Sequence, residues 1–354
     1  MILKPAFLSN FLISVLLCFV TVSLSYAQEI RIGSYEYPDG AIYQGELVKG
    51  KPHGKGITRF KNGDYHEGYY VKGKRQGKGT YQFSDGEKYV GDWFQDQQHG
   101  YGVFYFINNN RYEGLWFRDY QHGQGTMYYY NGDVYVGNWK NDKREGKGKY
   151  TYSSGAFYDG DWKNDMRNGH GVFDWSDGNV YDGEWKENLK SGHGTFSYST
   201  GDKYVGQWSG DQQHGKGIYI FCEGNRYEGS YVSGQRTGEG IFTFPNGDKY
   251  IGNFQDGDQN GYGTFTWNGG AVYVGYWKDN QRHGTGKYTF ANGDVYDGDW
   301  NNGVMEGNGI LRQIDGTKYK GQFKNGLKDG HGIQEDKDGT RFEGEFKAGA
   351  KIIR

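Results

Sequence analysis

The sequence predicts an all-β protein, in which one 23-residue unit repeats as consecutive β-hairpins along an elongated, twisted single sheet, a solenoid-like rod. Three observations support this prediction. The composition is rich in glycine (63 of 354 residues) and in aromatic residues (18%), and it contains only four prolines. The chain repeats itself with a constant period after its first 30 residues. Within each period, glycine and aromatic residues recur at every second position, which is typical of β-strands.

The repeat starts at Tyr43 and continues without insertion or deletion. Steps of 23 residues reach Tyr or Phe in every repeat except the second, where they reach His66. The array therefore has a leading half-repeat at 31–42, thirteen full repeats at 43–341 and a partial repeat at 342–354. We predict that residues 28–354 form one repeat domain, in which each unit contacts mainly its neighbours.

Each repeat is predicted to hold two strands. The first is Tyr-x-Gly-x-Trp, as at 135–139, where positions one, three and five share a face. The second contains Gly-x-Gly at positions twelve and fourteen, followed by aromatic residues at sixteen and eighteen. We expect rings from neighbouring strands to fill the gaps at these glycines, so that stacked rings replace an aliphatic core. Two strands from each repeat would extend over roughly 120 Å with a right-handed twist.

Two kinds of connection alternate along the predicted sheet. Asn-Gly and Asp-Gly dipeptides, such as Asn131-Gly132, predict type I′ turns that join one repeat to the next. The polar segment that follows the tryptophan, for example 140–145, is predicted to form a longer connection at the other edge.

This pattern resembles the MORN repeat. The features that carry the resemblance are Tyr-x-Gly-x-Trp at 135–139, Gly-x-Gly at 146–148 and the turn glycine Gly155. The resemblance covers 31–354 and implies a β-hairpin scaffold that mediates protein association, often self-association. Phospholipid binding has also been proposed for this family. Some members add a catalytic domain, but here the repeats account for the chain after residue 30.

Residues 1–27 are predicted to be a secretory signal peptide. Lys4 precedes a run of 14 uncharged, mostly apolar residues, 11–24, and Ser25-Tyr26-Ala27 offers the small residues that a signal peptidase recognises. The alternative is an uncleaved membrane anchor, although the run is shorter than the roughly 20 residues that a span needs. We therefore expect export to the periplasm, the cell envelope or the extracellular space.

The charge and cysteine content argue against a nucleic-acid partner and against stabilisation by a disulfide. Cleavage after Ala27 would remove Lys4 and no acidic residue, so 41 basic residues become 40 against 43 acidic ones. Such an evenly mixed chain has no basic footprint for nucleic acid, and no nucleic-acid partner is expected. Cys222 would be the one remaining cysteine, which leaves no intramolecular disulfide.

We predict no catalytic site, metal site or cofactor. Five histidines directly precede a Gly-x-Gly: His53, His99, His122, His214 and His283. Since their spacing is 23 residues or a multiple of it, even consecutive ones would lie about 10 Å apart, whereas zinc needs ligand nitrogens within roughly 2.1 Å of one metal ion. His99 and His122 could at best share a loose site with an added carboxylate, and we interpret these histidines as polar residues of the turns. Serine, histidine and aspartate are plentiful, but they occupy positions shared among repeats and form no triad.

Extra tyrosines in the third and fourth repeats form the candidate partner-binding patch. Tyr105 and Tyr128 occupy the seventeenth position, where other repeats carry mostly Thr, Ser, Gln or charged residues, and Tyr101, Tyr120 and Tyr130 lie near them in sequence. Tyrosine provides a large contact area at little entropic cost, so these residues are predicted to bind a partner. The alternative is ordinary cross-strand pairing that stabilises the sheet.

The predicted function is a non-enzymatic, secreted or envelope scaffold that binds protein partners. Self-association as a homodimer is included, because an aromatic face open to water would be a large apolar patch. Either the sheet curls over that face or a second chain covers it. The alternative function is a surface-binding module for phospholipid or polysaccharide, since aromatic rings also stack on sugars.

Overall fold

The computed structural model describes residues 29–353 as one sheet of 29 strands. Each strand pairs antiparallel with its neighbours in sequence, and the described residues contain no helix. Within this range the first strand pairs only with the second and the last only with the one before it, so the sheet is open. The predicted all-β array of hairpins is confirmed, whereas the predicted signal peptide lies outside the described residues.

The strands alternate between seven and nine residues from the second to the twenty-eighth, the first has seven residues, and the last has two. They are β1 (Ile30–Glu36), β2 (Ile42–Val48), β3 (Lys51–Arg59), β4 (Tyr65–Val71), β5 (Lys74–Gln82), β6 (Lys88–Phe94), β7 (Gln97–Tyr105), β8 (Arg111–Phe117), β9 (Tyr120–Tyr128), β10 (Val134–Lys140), β11 (Lys143–Thr151), β12 (Phe157–Lys163), β13 (Met166–Asp174), β14 (Val180–Lys186), β15 (Leu189–Ser197), β16 (Lys203–Ser209), β17 (Gln212–Ile220), β18 (Arg226–Val232), β19 (Gln235–Thr243), β20 (Lys249–Gln255), β21 (Asp258–Thr266), β22 (Val272–Lys278), β23 (Gln281–Thr289), β24 (Val295–Asn301), β25 (Val304–Arg312), β26 (Lys318–Lys324), β27 (Leu327–Glu335), β28 (Arg341–Lys347) and β29 (Ala350–Lys351).

A row of paired glycines runs across the sheet and keeps the strands in register. Gly137 of β10 pairs with Gly148 of β11, which pairs in turn with Gly160 of β12. The same pairing continues from Gly33 of β1 to Gly344 of β28. The third and fourteenth positions of every repeat therefore meet in one line perpendicular to the strands.

The connection after the tryptophan is a tight hairpin, and the predicted longer connection is wrong. Lys140 pairs with Lys143, which leaves a two-residue loop. Its residues, Asn141 and Asp142, both have left-handed backbones, with φ of 49° and 65°. This is the type I′ geometry, which matches the twist of the flanking strands and which Asn and Asp tolerate.

The Asn-Gly turns join one repeat to the next as predicted, but their predicted type I′ geometry is wrong. Tyr129 N–H donates to Asp133 O, and Gly132 N–H donates to Tyr129 O, so the loop has three residues. Gly132 has a φ of 90°, whereas Asn131 does not adopt a positive φ. Instead, the Asn131 side-chain oxygen accepts the Asp133 N–H. The loop is therefore a turn closed by a glycine bulge, the usual form for three residues.

The glycine at position twelve forms a bulge, and its predicted role as a gap for a ring is wrong. Gly137 pairs with Gly148 and Trp139 with Arg144, so three residues of β11 lie opposite Asn138 alone. Gly146, the middle one, has a φ of 70°, which costs glycine little. Bulges of this kind bend a strand and increase its local twist.

One face of the sheet, which we call the aromatic face, carries repeat positions one, five, ten, sixteen and eighteen and the glycine row. The tyrosine at position one is fully buried, and its ring contacts two position-five rings edge-on, as Tyr135 contacts Trp139 and Trp162 with ring centroids 5.2 and 5.4 Å apart. A Cβ added to Gly137 would overlap the Tyr135 hydroxyl, and one added to Gly148 would overlap the Tyr135 ring. The ring over Gly137 thus comes from its own strand, contrary to our prediction, whereas the one over Gly148 comes from a neighbouring strand.

The chain buries this ladder of rings without a second chain. The position-five residues from Trp93 to Trp300 are also buried. Burial of the Tyr135 ring raises the pKa of its hydroxyl, which donates a hydrogen bond to Asn138 O. The sheet itself therefore covers its aromatic ladder, and the expected apolar surface gives no reason for self-association. The remaining positions form the opposite face.

Candidate functional site

The structure places the predicted tyrosines close together on one part of the array. Tyr101, Tyr105, Tyr120 and Tyr128 project from the opposite face of β7 and β9, and Tyr130 lies in the loop after β9. All five side chains are exposed, by 37% to 76%. Their role as a binding patch stays a prediction.

Two of these tyrosines also stabilise the sheet. Arg111 pairs with both Tyr105 and Tyr128, and its guanidinium lies 4.2 Å from the centroid of the Tyr128 ring. The Lys88 ammonium lies 4.6 Å from the Tyr105 ring in the same way. Such cation–π contacts stabilise a folded chain by about 0.5–1 kcal/mol at exposed sites. Tyr105 and Tyr128 therefore fit the cross-strand interpretation better than the other three tyrosines do.

Sequence reasoning missed the apolar residues that complete this surface. Phe94, Leu115 and Phe117 are exposed by 47%, 43% and 43% on the opposite face of β6 and β8. His99 lies between the two phenylalanines, with ring centroids 5.6 and 5.3 Å away. The sequence contains a signal for the two phenylalanines. Phe94 and Phe117 occupy the sixth repeat position, where the other repeats carry Lys, Ser, Gln, Asn or Val.

We call these residues together the β6–β9 patch: Phe94, Tyr101, Leu115, Phe117, Tyr120. The Tyr101 hydroxyl donates to Glu113, and this hydrogen bond is the largest cause of its raised pKa. A cluster of this kind, of exposed rings beside a few polar groups, is typical of protein interfaces.

The opposite face has a groove of about 1140 Å³ between β13 and β21. It runs along the reverse side of the glycine row. The backbone of the glycines forms its floor. Val205, Ile218, Ile241 and Ile251 line it together with charged residues such as Glu228. The groove is elongated and mixed in character, and it holds no concentrated set of reactive groups.

On the aromatic face, a cation at position ten covers the next tryptophan. The Arg144 guanidinium lies 4.3 Å from the Trp162 ring centroid and donates to Asp165 Oδ1 and O. Arg167 and Arg282 cover Trp185 and Trp300 at the same distance. These side chains act as lids over the ring ladder.

Glutamine replaces that lid next to two clefts of this face. Gln98 and Gln121 line a cleft of about 660 Å³ between β5 and β12. Gln259 lines a second cleft of about 700 Å³ further along the array. Both clefts are walled by the rings of positions sixteen and eighteen.

The histidines do not assemble a metal site. The Phe117 ring lies between His99 and His122, 5.3 and 5.7 Å from their rings. Among residues 29–353 no three His, Cys, Asp or Glu side chains lie close enough together to hold a metal ion. Cys222 is free and exposed, and partial desolvation followed by its contact with Asp202 raises the pKa of its thiol. A raised pKa disfavours the reactive thiolate.

Comparison with protein families accounts for nearly the whole described array. Thirteen consecutive segments, from 43–65 to 319–341, match the family model described as MORN repeat. The chain belongs to the MORN repeat family. MORN repeats generally mediate interactions with proteins or membrane lipids, and an all-β MORN array is a typical non-catalytic scaffold. Between residues 29 and 353, the MORN array contains no helix of the length and apolarity that a membrane crossing requires.

Other comparisons add little to the MORN assignment. No curated protein matches the chain. Among solved structures, the TCP domain of SAS-4 (dCPAP) from Drosophila melanogaster is 18% identical, with a TM-score of 0.29 over 44% of this chain and 85% of that one. The TCP10 domain of Danio rerio CPAP is 10% identical, with a TM-score of 0.21 over 76% and 94%. Virginiamycin B lyase from Staphylococcus aureus is 11% identical, with a TM-score of 0.14 over 89% and 99%. These scores are too low to support an argument about function.

Proposed function

We propose that this MORN array is an exported, non-enzymatic scaffold that binds a protein partner through the β6–β9 patch. The observation that carries the proposal is the departure of this patch from the repeat. Phe94 and Phe117 stand at a position where lysine is common in later repeats, and both rings are more than 40% exposed. They contribute nothing to the buried ring ladder, which lies on the other face.

The partner chemistry follows from the mixture of groups in the patch. The rings and Leu115 offer apolar contact area, and Tyr101 and Glu113 offer hydrogen-bonding groups beside it. Burying exposed aromatic side chains is a principal source of affinity at protein interfaces. A protein surface of matching apolar and polar groups fits this patch better than an anionic lipid surface does, since the chain has no excess of basic residues.

The double variant Phe94→Lys/Phe117→Lys tests the proposal. Lysine occupies the same position in Lys140, Lys163 and Lys186, so the fold should tolerate it. We expect an unchanged melting temperature and a loss of at least tenfold in partner recovery when tagged protein is captured from its native host and the co-eluting proteins are quantified. Val232→Lys, at the same repeat position and also exposed, is the matched control and should recover the partner normally.

Two results would contradict the proposal. One is equal recovery of every co-eluting protein by the double variant and the control. The other is a lowered melting temperature with unchanged recovery, which would assign the rings to sheet stability. Sedimentation velocity with the same variants tests self-association: a dimer that dissociates only in the double variant would make the partner a second copy of this chain.

Export is the second part of the proposal, and it is supported by the apolar run at 11–24 and the small residues before position 28. We expect protein recovered from the host to begin at Gln28. The mass of the intact chain measures this directly. A chain that retains residues 1–27 in a membrane fraction would favour the anchored alternative.

A further inference from the structure

The cleft beside Gln98 and Gln121 has features that the repeat does not need. Its walls are aromatic and apolar side chains, including Phe83, Phe106 and Tyr129. At the tenth position, where Arg144 and Arg167 stack on the next tryptophan, Gln98 and Gln121 line a cleft of about 660 Å³. The change from arginine to glutamine thus removes the cation that stacks on the next tryptophan, although Trp116 and Trp139 remain as buried as Trp162.

Both glutamines are largely buried, and their side chains make no hydrogen bond within the described residues, but their amide atoms are open to the cleft. Gln98 is 7% exposed and Gln121 is 5% exposed. Their backbone N–H groups donate to Asp119 and Asp142, but their side-chain amides make no hydrogen bond to the protein. Buried polar groups in folded proteins are nearly always paired with protein, water or ligand. The two amides line one cleft and are open to it, so they are available to pair with the hydrogen-bonding groups of an occupant.

The charges around the cleft narrow the chemistry of that occupant. The lining carboxylates belong to Asp119, Asp142 and Asp165, and the lining cation is Arg144. Arg144 is already engaged, because it donates to Asp165 and stacks on Trp162. An anionic headgroup would meet uncompensated carboxylates, whereas a purely apolar ligand would leave the glutamine amides unpaired.

We propose that this cleft binds a neutral glycan. A sugar ring has an apolar face of C–H groups, which packs on aromatic rings, and a rim of hydroxyls, which donate to and accept from amides and carboxylates. The ring surfaces of Phe106 and Tyr129 and the amides of Gln98 and Gln121 supply both kinds of contact within one cleft. The site lies on the aromatic face and is thus separate from the β6–β9 patch.

The array itself suggests the variant that tests this site. In Gln98→Arg/Gln121→Arg the new side chains would meet Asp119 and Asp142, just as Arg144 meets Asp165 in the next repeat. The fold should therefore be retained and the cleft closed. Gln213→Arg is the matched control, because Gln213 has the same repeat position but donates its amide to the Tyr198 hydroxyl.

Tryptophan fluorescence of the purified protein is the measurement, since Trp116 and Trp139 line the cleft. The probes are cellohexaose, laminarihexaose and chitohexaose. We expect a saturable change with at least one of them, a dissociation constant at least tenfold weaker in the double arginine variant, and unchanged binding in the control. Tyr129→Phe, which removes a hydroxyl that has no partner among the described residues, should weaken binding severalfold at an unchanged melting temperature.

The proposal is overturned if none of the three sugars binds, or if both arginine variants bind them as well as the parent protein does. Binding to vesicles of anionic phospholipid that the double arginine variant abolishes, without sugar binding, would also overturn it. Neither result affects the assignment of the β6–β9 patch, because those variants lie on the other face.

Discussion

A histidine at the first repeat position shows what the tyrosine there contributes. His66 is fully buried against Tyr70 and Trp93, and neither ring nitrogen has a hydrogen-bond partner. At the same position Tyr135 donates its hydroxyl proton to a backbone carbonyl. An unpaired buried polar group costs about 1–3 kcal/mol, so the second repeat carries a local defect.

His66→Tyr should repair this defect. We expect the free energy of unfolding at pH 7.5 to rise by about 1–3 kcal/mol, because the new hydroxyl can reach the carbonyl that its counterparts use. Thermal and denaturant unfolding of the two proteins measure the change. A variant less stable than the parent would show that the pocket around residue 66 has adapted to imidazole.

The same variant should remove a pH dependence. Burial first, and then repulsion from Arg75, lower the pKa of His66 from 6.5 to about 3. The unfolded chain therefore binds a proton between pH 6.5 and 3 that the folded chain does not, and stability falls as the pH drops through this range. The other histidines are common to both proteins, so their contributions cancel. A stability difference between the proteins that stays constant from pH 7.5 to 4.5 would contradict the buried, neutral imidazole.

Among the elements, the glycine row is the feature that fixes both pairing and packing. We expect Gly148→Ala to destabilise the array by about 3 kcal/mol, because its methyl group would overlap the Tyr135 ring. Gly148 does not have a positive φ, so the effect measures packing alone. Gly269→Ala is the control, since an added Cβ there has no neighbour within 4 Å. Equal losses in the two variants, measured by urea unfolding, would refute the packing role of the row.

The two-residue hairpins give a second prediction at the level of elements. Glu187 adopts a φ of 50° at a hairpin position where Asn141 adopts 49°. A left-handed backbone costs most residues about 1–2 kcal/mol but costs Asn less. We therefore expect Glu187→Asn to stabilise the protein by about 0.5–1 kcal/mol and Asn141→Glu to destabilise it by a similar amount. Melting curves showing changes of the same sign in both variants would contradict the assigned geometry.

The sequence specifies the strands of this protein better than its turns. Period-two patterns such as the one from Tyr135 to Trp139 predict the strands and their buried face, because side chains alternate along a strand. The sequence predicts the type I′ turn at the wrong connection. Asn131-Gly132 has the composition of a type I′ turn, but a glycine there also suits a three-residue loop closed by a bulge. Asn141-Asp142 has no glycine and therefore gave a weaker signal.

The candidate sites were harder to predict than the fold for a related reason. Tyr105 and Tyr128 stand out within their own strands, but Phe94 and Phe117 join the patch only through cross-strand neighbours. The cleft at Gln98 could not be predicted from the sequence, because a glutamine in one repeat is an ordinary polar residue. Its significance follows only from the contact that Arg144 makes at the same position of another repeat.

At the level of the whole molecule, the two faces of the sheet have different roles. The aromatic face supplies the ring ladder that holds the array together, so the opposite face is free to vary without loss of the core. Because each repeat contacts mainly its neighbours, a partner site built on two or three repeats can arise without disturbing the others. The central claim is that such a site exists on β6–β9.

Site-specific photo-crosslinking tests that claim most directly. A benzophenone side chain would replace Tyr120 within the patch or, as a control, Val232 on the same face of a distant repeat; both residues are about half exposed. After irradiation in the native host, we predict a discrete protein adduct from position 120 and none from position 232. Equal adducts from both positions, or none from either, would contradict a protein-binding site on β6–β9.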